Sequence, residues 1–294
     1  MVYDLNKIVS EIKDKKYWYF GNHSKDFVKM CYSVQLISQL DEHTTQEEYE
    51  RVRKKFNANN PGINLEAAMF KSNISAKVYG LLDPTQRDYA KSDLTPVFNE
   101  IKKRTQGDFK KTNLYEDLIE QQIEKMFCIT PLFKIAGKED FQLYPLFLLY
   151  KVLLQLGLET GQYSISNVEF NYFVATARTY SEWRNVVDTV LYYREMDHIE
   201  DLLVLKMKEV KASPPDQRYY QFLKYIKTIT MIPSEGKPQT IILKDVGKVR
   251  DKINTFELIN SFKPNSPGSL PNGLLNYRDY VQFLGKNIPL LPRL

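Results

Sequence analysis

Residues 164–194, SISNVEFNYFVATARTYSEWRNVVDTVLYYR, constrain this chain most, because two amphipathic helical patterns follow each other across a short polar break. Ser166 and Glu169 match an S-x-x-E capping box, so a helix is predicted to begin at about Asn167. Its apolar positions Phe170, Phe173, Val174 and Ala177 recur at helical spacing until Thr179 and Tyr180 interrupt them. Ser181 is the predicted cap of a second helix, with Trp183, Val186, Val187, Val190 and Leu191 as its buried stripe. Ser181, Glu182, Arg184, Asn185 and Asp188 then fall on the opposite face, where polar side chains can meet base edges. The pattern is that of a helix-turn-helix.

Composition narrows the function classes. A chain of 294 residues has room for two domains of ordinary size, and 43% hydrophobic content fits a folded protein. No run approaches the roughly 20 apolar residues needed to span a bilayer, and the opening MVYDLNKIVSEIKDKK lacks a signal-peptide core. A cytoplasmic protein that does not engage membranes is expected. Cys31 and Cys128 sit in apolar surroundings without a second cysteine nearby and are expected to be buried thiols. With three scattered histidines, no bound metal is expected for this chain. It also lacks a G-x-x-x-x-G-K phosphate loop, which argues against nucleotide hydrolysis.

The net charge of +5 says little by itself, but its distribution is uneven. Residues 211–252 hold nine Lys or Arg against four acids, a local excess equal to that of the whole chain. A second basic run, Lys102, Lys103, Arg104, Lys110 and Lys111, surrounds a polar turn opposed by Asp108 alone. Basic patches on separate elements suit a protein that follows a phosphate backbone; a solvated lysine face is the competing reading of the 102–111 run.

The fold class expected is mainly α with small β-hairpins (α+β), built as two winged-helix-like subdomains. The boundaries expected are 1–135 and 136–262, followed by a connector, 263–294. In the first part, helices are predicted over residues 3–15, around the Val28, Tyr32, Leu36 and Leu40 stripe, after Thr44 or Thr45, and over 114–127. The aromatic cluster at residues 17–20 reads as core more readily than as a base-stacking surface. In the second part, an apolar helix over 143–156 is started by Pro145, a further helix spans 218–228, and TITMIPSEGKPQTIILK forms a β-hairpin with residues 234–237 at its tip. Three helices followed by a two-stranded wing is the winged-helix order.

Several segments carry a family resemblance. LYPL at residues 143–146 with its apolar helix, SISNVEFNYF, Arg194 and TITMIPSEG resemble the recognition region of type IIS restriction and nicking endonucleases of the AlwI and BstNBI group. FKSNISAKVYGLLD, NLYEDLIEQQIEKMFCITP and YRDYVQFLGKNIPLLPRL are similar to further segments of that family, in the same order. The resemblance implies a module that reads a short asymmetric site in double-stranded DNA, akin in architecture to the DNA-binding half of FokI. It further implies a monomer on DNA, joined in the full-length enzyme to a Mg-dependent nuclease domain that this chain lacks.

The cleavage chemistry of such enzymes needs carboxylates that hold magnesium at the scissile phosphate, usually an Asp followed by Glu-x-Lys on adjacent strands. Asp201, Glu209 and Lys211 are the candidate set here, and an extended solvated helix is the competing reading of the same residues. The alternatives to a recognition module are therefore a self-contained Mg-dependent endonuclease or a winged-helix transcriptional regulator.

An asymmetric site of several base pairs exceeds what one recognition helix reads, so both subdomains are expected to supply base contacts. The base readers expected are Lys71, Ser72, Asn73, Ser75 and Lys77 in the first, and Thr179, Tyr180, Ser181 and Arg184 in the second. Backbone contacts are assigned to Asn22, His23 and Lys25 in a polar turn and to Lys102, Lys103 and Arg104. Arg218, Lys224, Lys227, Lys237 and Lys244 complete the backbone set on the wing and the helix before it.

Overall fold

The computed structural model describes residues 4–18, 26–41, 43–65, 76, 79–83, 94–128, 141, 143–196, 200–213, 215, 219–234, 237–259 and 282–291. The chain forms two compact units: Met1–Tyr19 with Phe127–Asn272, and Phe20–Met126 with Gly273–Leu294. Chain order and compactness thus divide the molecule differently, because the first helix, α1 (Leu5–Ile12), folds with the later segment.

The second unit contains α2 (Phe27–Ile37), α3 (Gln46–Asn59), α4 (Pro96–Thr105), a 3-10 turn (Thr112–Leu114) and α5 (Glu116–Lys125). Helix α2 is buried on most sides, and Asp26 caps it by accepting from the Lys29 amide at 3.1 Å. By contrast α3 is a charged surface helix, opened by a Thr45–Glu48 capping box and anchored by the buried Tyr49. Pro96 at the first position starts α4, and Thr95 caps it while donating to the Gly80 carbonyl at 2.6 Å. Gly80 has φ +64, and a side chain there would collide with the Leu284 backbone. That close approach lets residues 282–291 pack here. Gln122 secures the same junction by donating to the Leu284 carbonyl at 2.7 Å, and the buried Lys125 ammonium donates to the Lys286 carbonyl at 2.6 Å.

The first unit is centred on α6 (Pro145–Thr160), started by Pro145 and ended by the left-handed Gly161. Eleven of its residues are buried, so apolar side chains all round its circumference find partners. Its Phe147 ring stacks on Phe256 at 4.0 Å. After α6 come β1 (Ser164–Ser166), the short helix α7 (Asn167–Glu169) and a π-helical segment (Phe170–Val174). The capping box predicted for Ser166 and Glu169 is present, but the helix it starts widens within one turn. A 3-10 turn (Tyr180–Glu182) leads into α8 (Trp183–Arg194), followed by α9 (Glu200–Glu209) and a 3-10 segment (Tyr220–Tyr225). The cap of the α8 region is Thr179 rather than Ser181, because Glu182 reaches back to the Thr179 amide at 3.1 Å. The helix expected over 218–228 is a single 3-10 stretch among the described residues.

Strands β2 (Ile229–Ser234) and β3 (Lys237–Leu243) form the expected hairpin, with Ser234 opposite Lys237 at its tip. Register slips between Ile232 and Ser234, at Pro233, which has no amide proton to give. Sequence periodicity showed two strands, whereas the sheet has three in the order β1-β3-β2, since Ile165 pairs with Ile241 on the free edge of β3. The unit closes with α10 (Val246–Ile259), a helix absent from the sequence reading. The mainly helical α+β class is therefore what the chain adopts. Both cysteines are buried thiols outside any disulfide, and desolvation raises the Cys31 thiol well above its ordinary range. The described residues contain no helix long and apolar enough to cross a membrane.

Candidate nucleic-acid interface

The face of α8 turned away from its buried Val186, Val187, Val190 and Tyr193 presents Arg184, Asn185 and Asp188 to solvent, with Ser181 exposed at its start. What aims this face is an ionic knot beneath it. The Arg194 guanidinium at the end of α8 donates to both Glu169 carboxylate oxygens, at 2.7 and 2.9 Å, and to the Ser164 carbonyl at 2.8 Å. Glu169 is 4% exposed and also accepts from the Ser166 amide at 2.8 Å. One carboxylate therefore ties β1, α7 and α8 together. The sequence signalled the capping half of this knot but not the long-range half.

Among the base readers expected on this segment, the structure separates three roles. Ser181 is exposed, and its hydroxyl lies 3.0 Å from that of Thr179. Thr179 itself is half-buried and engaged in the capping box with Glu182. Tyr180 is turned inward: it is buried, edge-on to Phe256 at 5.3 Å, and its hydroxyl donates to Glu257 at 2.8 Å. Burial, and then the hydrogen bond to Glu257, push its ionisation above the ordinary tyrosine range. The short break at Thr179 and Tyr180 could not show from sequence which side of the turn the aromatic ring takes.

Arg184 is exposed but engaged, pairing with Asp188 at 2.6 Å and with Glu159. The Asp188 and then the Glu159 hydrogen bonds raise its pKa, and the Gln155 and Arg184 hydrogen bonds lower that of Glu159. A guanidinium held by exposed carboxylates can exchange them for another acceptor, because solvent-exposed pairs are weak. Asn185, placed on the polar face by its helical spacing, is exposed there, and Arg178 just before the turn is a further exposed polar group.

The basic residues divide similarly. Lys237 and Lys244 stand at opposite ends of β3, about 23 Å apart at strand rise, so they do not form one wing-tip patch. Lys237 belongs to the tip. Lys244 lies at the base, where its amide donates to the Thr228 carbonyl at 2.9 Å, next to the exposed Lys227. Lys224 is exposed and its ammonium sits 4.9 Å from the Tyr225 ring centroid. Lys248 and Arg250, two of the nine basic residues counted over 211–252, are exposed on the first turns of α10.

In the second unit, Lys102 and Lys103 are exposed on the last turn of α4. Arg104 is diverted into the protein: it donates to Glu100 at 2.9 Å and to Asp117 at 2.8 and 3.0 Å. Those bonds, Glu100 first, raise its pKa, so its charge is already answered by two carboxylates. Lys71, Ser72, Asn73, Ser75, Lys77, Asn22, His23, Lys25 and Arg218 lie outside the described residues.

The candidate nuclease set does not converge. Asp201 and Glu209 lie on one helix, eight residues or about 12 Å apart along its axis, and Lys211 follows in a left-handed turn with φ 54°. The strand pair that presents an Asp and Glu-x-Lys to one metal is replaced by a solvated helix. The described residues hold no cluster of three or more His, Cys, Asp or Glu suited to a metal ion.

No family model matches this sequence, and no curated protein matches it. Nine solved chains match in structure. One is the BpuJ1 endonuclease binding domain, crystallised in complex with pyrene- and phenanthrene-modified DNA. The TM-score is 0.51 at 11% sequence identity, and the match covers 86% of this chain and 90% of that chain. At that identity the likeness is one of fold, spread over both units.

Proposed function

We propose that this chain is a sequence-specific double-stranded DNA recognition domain, the DNA-binding part of a type IIS restriction endonuclease. The observation that carries the reading is the antiparallel sheet in the order β1-β3-β2 with α6 and α8 in the same unit and a polar face of α8 left exposed, an arrangement that supports a winged-helix reading with α8 as the recognition helix. The fold likeness to an endonuclease binding domain seen in complex with DNA supports the same reading. In it, Arg184, Ser181 and Asn185 read base edges, while Lys237, Lys227, Lys244, Lys102 and Lys103 contact phosphates. The second unit adds the remaining base contacts from its own polar segment. The domain acts as a monomer in the cytoplasm, joined in the parent enzyme to a nuclease domain that takes magnesium.

Selection of bound sites from random duplexes, followed by binding and Mg-dependent cleavage on the same pool, tests this. Enrichment of one asymmetric site without cleavage is the expected result. Binding with no enriched site would remove sequence recognition, and cleavage by this chain would favour the self-contained endonuclease.

A further inference from the structure

The second unit holds a cavity of about 440 Å³ that none of the contacts above uses. This lies within the roughly 300–1,000 Å³ of pockets that take small ligands. Its walls combine two aromatic rings with four carboxamides. Tyr32 and Phe56 contribute the rings, with centroids 5.8 Å apart, and Tyr32 is fixed edge-on to the buried Phe109 at 5.0 Å. Gln35 and Gln39 from α2, Asn60 at the end of α3 and Gln106 at the end of α4 supply the carboxamides. The Asn60 side-chain nitrogen donates to the Phe56 carbonyl at 2.9 Å, which fixes its amide orientation. Gly107 lines the wall with φ +84, a left-handed conformation that suits glycine.

The rim is basic. Exposed Lys102 and Lys103 precede Gln106 by one helical turn, and exposed Lys110 and Lys111 follow Asp108. Asp108, the one acid among the described residues that line the cavity, is answered by Lys111 at 3.5 Å.

We propose that this cavity binds one unstacked nucleotide, its base against Tyr32 and Phe56 and its phosphate toward the rim lysines. Rings supply a stacking surface for any base, and a carboxamide matches the donor and acceptor edge of adenine in bidentate fashion. An enclosed metal or a lipid chain would call for carboxylates or an apolar lining instead. The proposal rests on the DNA-recognition reading only for the source of the nucleotide, an extrahelical residue of bound DNA or a free mononucleotide.

Titration of the full chain with deoxyadenosine 5′-monophosphate by calorimetry gives the test. Saturable binding at about 1 mM or tighter is expected. The Gln39→Ala, Gln106→Gly double variant is expected to bind at least tenfold more weakly while melting normally, because Gln106 has φ 53°, a conformation that suits glycine. Lys102→Ala with Lys103→Ala is expected to bring the monophosphate down to the affinity of deoxyadenosine. Absence of saturation by the unaltered chain, or undiminished binding by the carboxamide variant, overturns the proposal. Affinity for a random duplex pool separates the sources: loss in the carboxamide variant assigns an extrahelical nucleotide, and retention assigns a free one. If the unaltered chain fails to bind duplexes, the DNA reading falls and the mononucleotide titration still decides the cavity.

Discussion

Replacing Arg194 by methionine tests whether the knot on Glu169 sets the stability of the first unit. The substitution removes three charge-assisted hydrogen bonds, of 2.7, 2.9 and 2.8 Å, yet keeps most of the apolar stem. Glu169 is left as a carboxylate 4% exposed, with the Ser166 amide as its remaining partner in the knot. Breaking a buried pair costs about 3–5 kcal/mol; Arg194 keeps a quarter of its side chain in water, which places the expected loss near 2–3 kcal/mol. For a protein of this size that is a fall in Tm of about 4–12 °C. Tryptophan fluorescence is the suitable probe, because Trp18 and Trp183 both belong to the unit that contains the knot. The Glu169→Gln, Arg194→Met double variant is expected to recover about half of the loss, since no unpaired charge remains buried. A single-variant loss below about 0.5 kcal/mol would show that the pair behaves as an exposed one and that packing alone orients α8.

Arg184→Ala is expected to lower affinity for the selected site about tenfold and to relax preference at one base pair, with melting unchanged; unaltered selection would remove Arg184 from the readers. Tyr180→Phe should do the opposite, destabilising the unit through loss of the Glu257 hydrogen bond while leaving sequence preference intact. Lys237→Ala and Lys244→Ala are each expected to flatten the slope of log affinity against log salt by about one unit, equally on selected and scrambled duplexes; a loss confined to the selected site would make them base readers. Burial lowers the Lys125 pKa to about 7, so between pH 7 and its ordinary value of 10.5 the unfolded chain holds a proton that the folded chain lacks. Stability should therefore rise with pH across that window, and Lys125→Met should flatten the rise in denaturant melts from pH 7 to 9.5; an identical profile in the variant would contradict the assignment.

Local patterns carried much of the fold. The S-x-x-E box at Ser166, Pro145 as a helix starter, and alternating β-branched residues around residues 234–237 are signals that act within one turn or one strand pair, and each appears in the structure. The Tyr17 and Trp18 pair, read as core, is buried, with the Trp18 indole donating to the Ala177 carbonyl at 2.8 Å. Three residues of β1 have no periodicity of their own; they became a strand because β3 offered an unpaired edge. Helix α10 escaped notice because its apolar positions, Val249, Ile253 and Phe256, are sparse among charges and gain meaning only against α6.

The candidate interface divides on the same principle. Sequence determined which residues carry charge and which face of α8 is polar, because helical periodicity is a property of the chain alone. Tertiary structure decided which of those charges reach solvent. Arg104 and Arg194 read as equivalent to any other arginine until Glu100, Asp117 and Glu169 meet them. Tyr180 reads as a turn residue until Glu257, 77 positions away, accepts a hydrogen bond from its hydroxyl. A guanidinium or a phenol is committed by its nearest acceptor, and nearness across such separations is fixed by packing rather than by spacing in the chain.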